Sequence, residues 1–264
     1  MSNLKVTLIQ STLHWEDKAA NLSMLEEKIA AVKERTHVVI LPEMFSTGFS
    51  MKPEELAEDM NGNTIAWMKK TAKDNKVILT GSMIAEEGGN YYNRMVWMLP
   101  NGNYGTYDKR HLFAFAEEDR HYTSGTRRLV ASVNGWKVHL LVCYDLRFPV
   151  WARQQFDESG DFEYDLLIYV ANWPEKRNTA WKSLLQARAI ENQCYVIGVN
   201  RVGKDGNDIY YSGDSMVIDP LGEILYQKPH EEDVATLTLD KEHLNAIRQR
   251  FPFWRDADKF DILL

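Results

Sequence analysis

Short β-rich runs recur along the whole chain, and segments with helical periodicity separate several of them. The runs occupy residues 5–9, 37–41, 76–80, 94–99, 137–143, 166–170, 195–200, 215–218 and 234–239, each rich in β-branched, aliphatic or aromatic residues. Residues 17–35, 53–74 and 178–193 carry the helical period. The first places Leu22, Leu25, Ile29 and Val32 on one stripe, and the third gathers Trp181, Leu184, Leu185, Ala187, Ala189 and Ile190. Asn101-Gly102-Asn103 and Asp219-Pro220-Leu221-Gly222 read as tight turns between strands. Helix and strand alternate first and hairpins follow, which implies an α/β chain with a mixed sheet covered by helices. In such sheets chemistry gathers beyond the C-terminal ends of the strands.

Four of those ends carry polar groups that packing does not require. The run 38–41 enters Pro42-Glu43, 139–142 enters Cys143-Tyr144-Asp145, 166–170 enters Ala171-Asn172-Trp173, and 196–199 enters Asn200-Arg201. Tyr107-Asp108-Lys109-Arg110-His111 follows the strand around Tyr104. If neighbouring strands bring Glu43, Lys109 and Cys143 together, the set suits acyl transfer through a thioester. The thiol would be acidified by a helix N-terminus and the ammonium. The carboxylate would take its proton, and the ammonium would hold an oxyanion with the N–H after the cysteine. Spacing alone does not establish this convergence. Cys143 also reads as an inert core thiol, Glu43 as a helix-start carboxylate, Lys109 as a surface charge, and Asp145 with Arg147 as a structural ion pair.

Composition narrows the class. Eight Trp, twelve Tyr and ten Phe in 264 residues supply enough apolar surface to offset ordering entropy, which excludes a disordered chain. No repeat, low-complexity tract or Pro/Gly/Ser-rich linker divides it, so residues 1–264 read as one domain. Two cysteines, Cys143 and Cys194, exclude a disulfide framework and a Cys-rich zinc module, and Cys194 reads as a core residue. The seven histidines show no metal-ligand spacing, so no metal and no cofactor is expected. A formal charge of −7 argues against a general nucleic-acid binder. The N-terminus lacks a basic stretch followed by an apolar one, and the apolar runs fall short of the ~20 residues a membrane helix needs. A cytoplasmic protein with no membrane partner is the expectation.

At the strand-end residues the chain resembles the nitrilase superfamily of carbon–nitrogen hydrolases. The resemblance rests on Leu41-Pro42-Glu43-Met44-Phe45, Asp108-Lys109-Arg110-His111-Leu112-Phe113, and Leu141-Val142-Cys143-Tyr144-Asp145-Leu146-Arg147-Phe148-Pro149. Ala187-Arg188-Ala189-Ile190-Glu191-Asn192-Gln193 adds a fourth match in the family's order. It implies a four-layer αββα sandwich of two mixed β-sheets flanked by helices, packed as a homodimer through the outer helices. It also implies Glu43 as general base, Lys109 as oxyanion and leaving-group stabiliser, and Cys143 as nucleophile. Glu118 best matches the family's second glutamate, with Glu117 beside it as the competitor. The Tyr144 backbone N–H would complete the oxyanion hole, and Arg147, as part of the family-wide motif, would support the fold.

Within the superfamily, Val170-Ala171-Asn172-Trp173-Pro174, Arg177, Trp181 and Asn200-Arg201-Val202-Gly203 look most like the bacterial omega-amidase branch. That resemblance implies hydrolysis of the terminal amide of small 2-oxo dicarboxylic acid monoamides to the acid and ammonia. The substrate's carboxylate calls for a cation, for which Arg177 and Arg201 are the candidates, with Phe45, Asn172 and Trp173 as pocket walls. The rival readings are another amidase, N-carbamoyl hydrolase or nitrilase of the superfamily, and an inactive binding protein that keeps the fold.

Overall fold

A computed structural model describes residues 3–156 and 161–263. Six strands form the first sheet: β1 (Leu4–Gln10), β2 (Val38–Ile40), β3 (Ile78–Glu87), β4 (Asn90–Met98), β5 (Tyr104–Asp108) and, at the far edge beside β1, the late strand Asp233–Leu239. β1, β2 and β3 run parallel and the remaining pairs antiparallel. The second sheet holds β6 (Val130–Val133), β7 (Trp136–Val142), β8 (Leu166–Ala171), β9 (Tyr195–Asn200), β10 (Val202–Lys204), β11 (Tyr210–Ile218) and β12 (Ile224–Pro229). In it β7, β8 and β9 are parallel. The late edge strand of the first sheet is β13. Both sheets are mixed, as expected.

The layering follows from two-residue periodicity with both faces apolar. Val6 and Leu8 of β1, Val38 and Ile40 of β2, and Met95 and Trp97 of β4 belong to the core between the sheets. Their alternates Ile9, Val39, Val96 and Met98 instead meet Leu25 and Ile29 of α1 (Lys18–Ala30) and Ile65, Met68 and Ala72 of α3 (Asn63–Asn75). On the outer side of the second sheet lies α6 (Asn178–Asn192), packed on β9 and β11. Gly198 of β9 permits its close approach: a Cβ there would stand 2.5 Å from Leu185 and 2.7 Å from Trp181. Helices, sheet, sheet and helix make the αββα sandwich.

The helical run expected over 53–74 is two helices, α2 (Pro53–Leu56) and α3. Local polar bonds outcompete its continuation: Asp59 Oδ1 accepts from Asn61 N at 2.7 Å, and Glu58 Oε2 accepts from Thr64 N at 2.7 Å, capping α3. Three short or peripheral helices complete the chain, α4 (Glu118–His121), α5 (Pro149–Ala152) and α7 (Lys241–Arg250). α7 docks through Arg248, which donates to Asp165 Oδ1 and to the carbonyls of Tyr164 and Gln193. Beyond it Trp254 packs on Phe156 and Phe162, while Phe253 is 66% exposed. Among the described residues no helix is long and apolar enough to cross a membrane.

Candidate active site

Glu43 follows β2, Lys109 follows β5, Cys143 follows β7 and Asn172 follows β8. β2 and β5 are separated by two strands of one sheet, and β7 and β8 belong to the other. Adjacency of the parallel strands β7 and β8 brings Cys143 beside Asn172, and face-to-face stacking of the sheets brings that pair to Glu43 and Lys109. Lys109 Nζ donates to Glu43 Oε1 at 2.9 Å and to Glu118 Oε1 and Oε2 at 3.0 and 2.8 Å. Glu43 Oε2 accepts from Asn172 N at 2.7 Å, and Asn172 Nδ2 returns to the Glu43 carbonyl at 2.7 Å. Glu43 and Glu118 are fully buried, Lys109 is 1% exposed and Cys143 8%.

Geometry separates the two candidate glutamates. Glu118 opens α4 and accepts from Lys109, from Phe113 N at 2.6 Å and from Asn93 Nδ2 at 3.2 Å. Glu117, in the left-handed region at φ 61°, is instead exposed and paired with Arg120.

Cys143 begins a five-residue 3₁₀ turn, and its backbone is also left-handed, at φ 44°. For a residue with a Cβ that conformation is strained, and neighbouring bonds must hold it. Asp145 supplies them. Its carboxylate accepts from Val142 N at 3.0 Å, Tyr107 Oη at 2.7 Å and His111 N at 3.0 Å, with His111 Nδ1 at 2.9 Å. The clamp ties the cysteine turn to the segment that carries Lys109. The ion pair expected between Asp145 and Arg147 does not form, because these closer donors take the carboxylate. Arg147 lies over Trp173, 5.1 Å from its ring centre, on a cavity wall.

The thiol's expected acidification is reversed. Burial pushes Cys143 well above its ordinary value, the Glu43 charge pushes further, and Lys109 opposes both. A short 3₁₀ turn with two carboxylates nearby lacks the positive field of a long helix N-terminus. Cys143 rests as a thiol and needs a base at the moment of attack. Cys194 is fully buried in the core.

Cys143 opens on a cavity of about 300 Å³. Tyr144, Asn172, Trp173 and Arg177 line it, joined by Phe49, Met51, Phe113, Arg147 and the 205–211 hairpin. The Arg177 guanidinium sits 4.8 Å from the Phe113 ring centre. Two expected residues are elsewhere. Phe45 is fully buried beneath α3, 5.8 Å from the Trp67 ring, because its side chain belongs to the helix-facing core. Arg201 is also fully buried: it donates to the carbonyls of Val202, Lys204 and Leu13 and lies over the Tyr211 ring, behind the cavity wall. The sequence reading missed Asn93, Phe49, Met51 and the pocket role of Arg147. Asn93 lies in the polar first half of β4, beside Tyr92 and Arg94 and outside the run read from sequence as 94–99, so no local signal marked it. Among the described residues no group of His, Cys, Asp and Glu is placed to hold a metal.

The carbon–nitrogen hydrolase family profile matches residues 5–249. This chain belongs to that family. The hydrolase is 43% identical over 263 residues to the omega-amidase YafV of Escherichia coli K12, covering 98% of this chain and 99% of that one. It is 32% identical over 257 residues to a 2-oxoglutaramate amidase of Bacillus subtilis, covering 96% and 97%. A carbon–nitrogen hydrolase superfamily protein of Xanthomonas campestris, whose crystal structure holds an arsenic adduct in the active site, superposes with a TM-score of 0.97. It is 42% identical, covering 99% of this hydrolase and 100% of that chain. The protein is an enzyme that hydrolyses carbon–nitrogen bonds.

Proposed function

We propose that this hydrolase cleaves the terminal amide of small 2-oxo dicarboxylic acid monoamides, 2-oxoglutaramate and 2-oxosuccinamate, releasing the dicarboxylic acid and ammonia. The observation that carries the reading is the Glu43–Lys109–Cys143 cluster opening on a cavity that Arg147 and Arg177 also line. The named activities of the E. coli and B. subtilis relatives support it. Two guanidiniums suit a substrate whose other end is a carboxylate.

In the proposed cycle Glu43 takes the Cys143 proton as sulfur attacks the amide carbon. The Tyr144 N–H donates to the oxyanion, and Lys109, its hydrogens held by the two glutamates, stabilises it through its charge. Glu43 returns the proton to nitrogen, ammonia leaves and a thioester remains. A water deprotonated by Glu43 then releases the acid, with Glu118 holding Lys109 in place throughout. The two free cysteines, Cys143 and Cys194, support a cytoplasmic setting. Exposed Val150 on α5 and Ile190 on α6 offer apolar surface for pairing of two copies.

Ammonia release from 2-oxoglutaramate, a longer peptide-like amide and an N-carbamoyl amino acid tests the substrate. The keto-acid amide should show the highest kcat/KM, and a preference for either rival substrate refutes the reading. Cys143→Ala should abolish turnover with an unchanged melting curve.

A further inference from the structure

Asn93 sits within β4, fully buried, with its side-chain nitrogen between the two glutamates. That nitrogen is 2.8 Å from Glu43 Oε1 and 3.2 Å from Glu118 Oε1. An amide nitrogen carries two hydrogens, so this one group donates to both carboxylates. Lys109 Nζ reaches the same two oxygens, at 2.9 and 3.0 Å. Each Oε1 thus receives two donors, which occupies both of its lone pairs. Glu118 Oε2 also receives two, from Lys109 at 2.8 Å and Phe113 N at 2.6 Å. Glu43 Oε2 differs. Its close donor is Asn172 N at 2.7 Å, and Asn172 Nδ2 stands off at 3.5 Å. Of the four carboxylate oxygens, this one has room for a proton.

We propose that Asn93 is a positioning residue that directs the Cys143 proton to Oε2 of Glu43, by occupying Oε1 of both glutamates and keeping both ionised before attack. The proposal rests on the catalytic reading of Glu43, Lys109 and Cys143 given above. As the C–S bond forms, the S–H bond breaks, its proton passes to Glu43 Oε2, and the carbonyl π pair moves to oxygen. When that pair returns, the C–N bond breaks and the same proton departs with nitrogen as ammonia. Glu118, whose two oxygens receive four hydrogen bonds from Lys109, Asn93 and Phe113 N, carries no proton at any step.

The charges around Glu43 explain why a neutral donor is useful. Lys109, Glu118 and Cys143 face it directly, and Tyr122 and Tyr211 stand farther out. Burial pushes the Glu118 carboxyl up, and the Glu43 charge adds to that push while Lys109 opposes it. One ammonium therefore serves two carboxylates, and Asn93 adds hydrogen bonds without adding charge. Its own Oδ1 is buried with no hydrogen-bond partner among the described residues. Turning the amide over would aim that oxygen at two carboxylates, so their charge dictates its orientation.

Asn93→Asp and Asn93→Ala, with Cys143→Ala as reference, test the proposal through kcat, KM and the pH profile of kcat/KM. Both variants remove a neutral donor that favours the ionised form of the carboxylate cluster. The acid limb of both Asn93 variants should therefore move up by about one pH unit. kcat should fall about tenfold or more in Asn93→Ala, with KM within about twofold. Asn93→Asp keeps the side-chain volume but adds a third acid, and should be the slower of the two. Alkylation of Cys143 by iodoacetamide, which needs no turnover, should slow at neutral pH in the same order. A space-filling role predicts the reverse: Asp tolerated, Ala harmful, and the acid limb unmoved. Either that activity order or an unmoved acid limb overturns the proposal. An active Cys143→Ala would instead overturn the catalytic reading beneath it.

Discussion

Replacing Lys109 with Met removes a buried ammonium from between two buried carboxylates while keeping most of its length. The wild-type ion is well held: burial opposes its charge, but Glu118 and Glu43 together keep its pKa above the ordinary ammonium value. Three hydrogen bonds of 2.8–3.0 Å disappear with it, leaving Glu43 and Glu118 to share Asn93. Breaking a buried ion pair from one side costs about 3–5 kcal/mol, because the abandoned charge stays desolvated. Proton uptake by one of the two glutamates relieves part of that cost. A carboxyl whose folded pKa lies above its unfolded value favours the folded state at low pH. That contribution is lost as pH rises through the window between the two values. In urea unfolding followed by tryptophan fluorescence, Lys109→Met should therefore fall short of wild type by about 3–5 kcal/mol at pH 8. The shortfall should shrink toward pH 5, by up to about 1.4 kcal/mol per unit. Adding Glu118→Gln removes one stranded charge and should recover at least about 1 kcal/mol at pH 8. Turnover should be absent in both variants. A deficit that is the same at pH 5 and pH 8, or no recovery from Glu118→Gln, would refute the electrostatic argument.

Arg147→Ala and Arg177→Ala should each lower kcat/KM for 2-oxoglutaramate by about 10–100-fold, the worth of a charge-assisted hydrogen bond. An uncharged amide of equal length should be little affected, and equal losses on both would remove these residues from carboxylate recognition. Arg201→Met strands the carbonyls of Leu13, Val202 and Lys204 and should cost about 2–4 kcal/mol of stability. A drop in kcat/KM with unchanged unfolding would return Arg201 to the substrate. Iodoacetamide on the native protein, read by peptide mass spectrometry, should label Cys143 on the cavity and spare buried Cys194. Equal labelling would contradict the burial that separates them.

Alternating and helical periods are properties of near neighbours, so most strands and two of the three long helices were legible before folding, while the short or edge strands β6, β10 and β12 were not. The run 5–9 became Leu4–Gln10 and 195–200 kept its limits, while 53–74 broke where Asp59 and Glu58 bonded to nearby amides. The resemblance carried by contiguous motifs named Glu43, Lys109, Glu118 and Cys143, since each lies in a stretch of distinctive local chemistry.

Other features depend on how the sheets stack. Glu43 meets Asn93 across 50 residues of chain and Asn172 across 129. Asn93 is one of three polar residues of β4, with Asn90 and Arg94, and its importance comes from pointing at carboxylates that arrive from other segments of the chain. Arg147 closes the turn after β7 and Arg201 directly follows β9, yet the first reaches the cavity and the second lies sealed behind it. Their sequence neighbourhoods do not differ in a way that predicts this. Arg147 stands on the open side of a turn whose inner side Asp145 occupies, whereas Arg201 fills space among three backbone carbonyls. Side-chain type and period are local and survive in the unfolded chain. Burial, partnership and the direction of a pKa shift exist only once distant segments have excluded water between them.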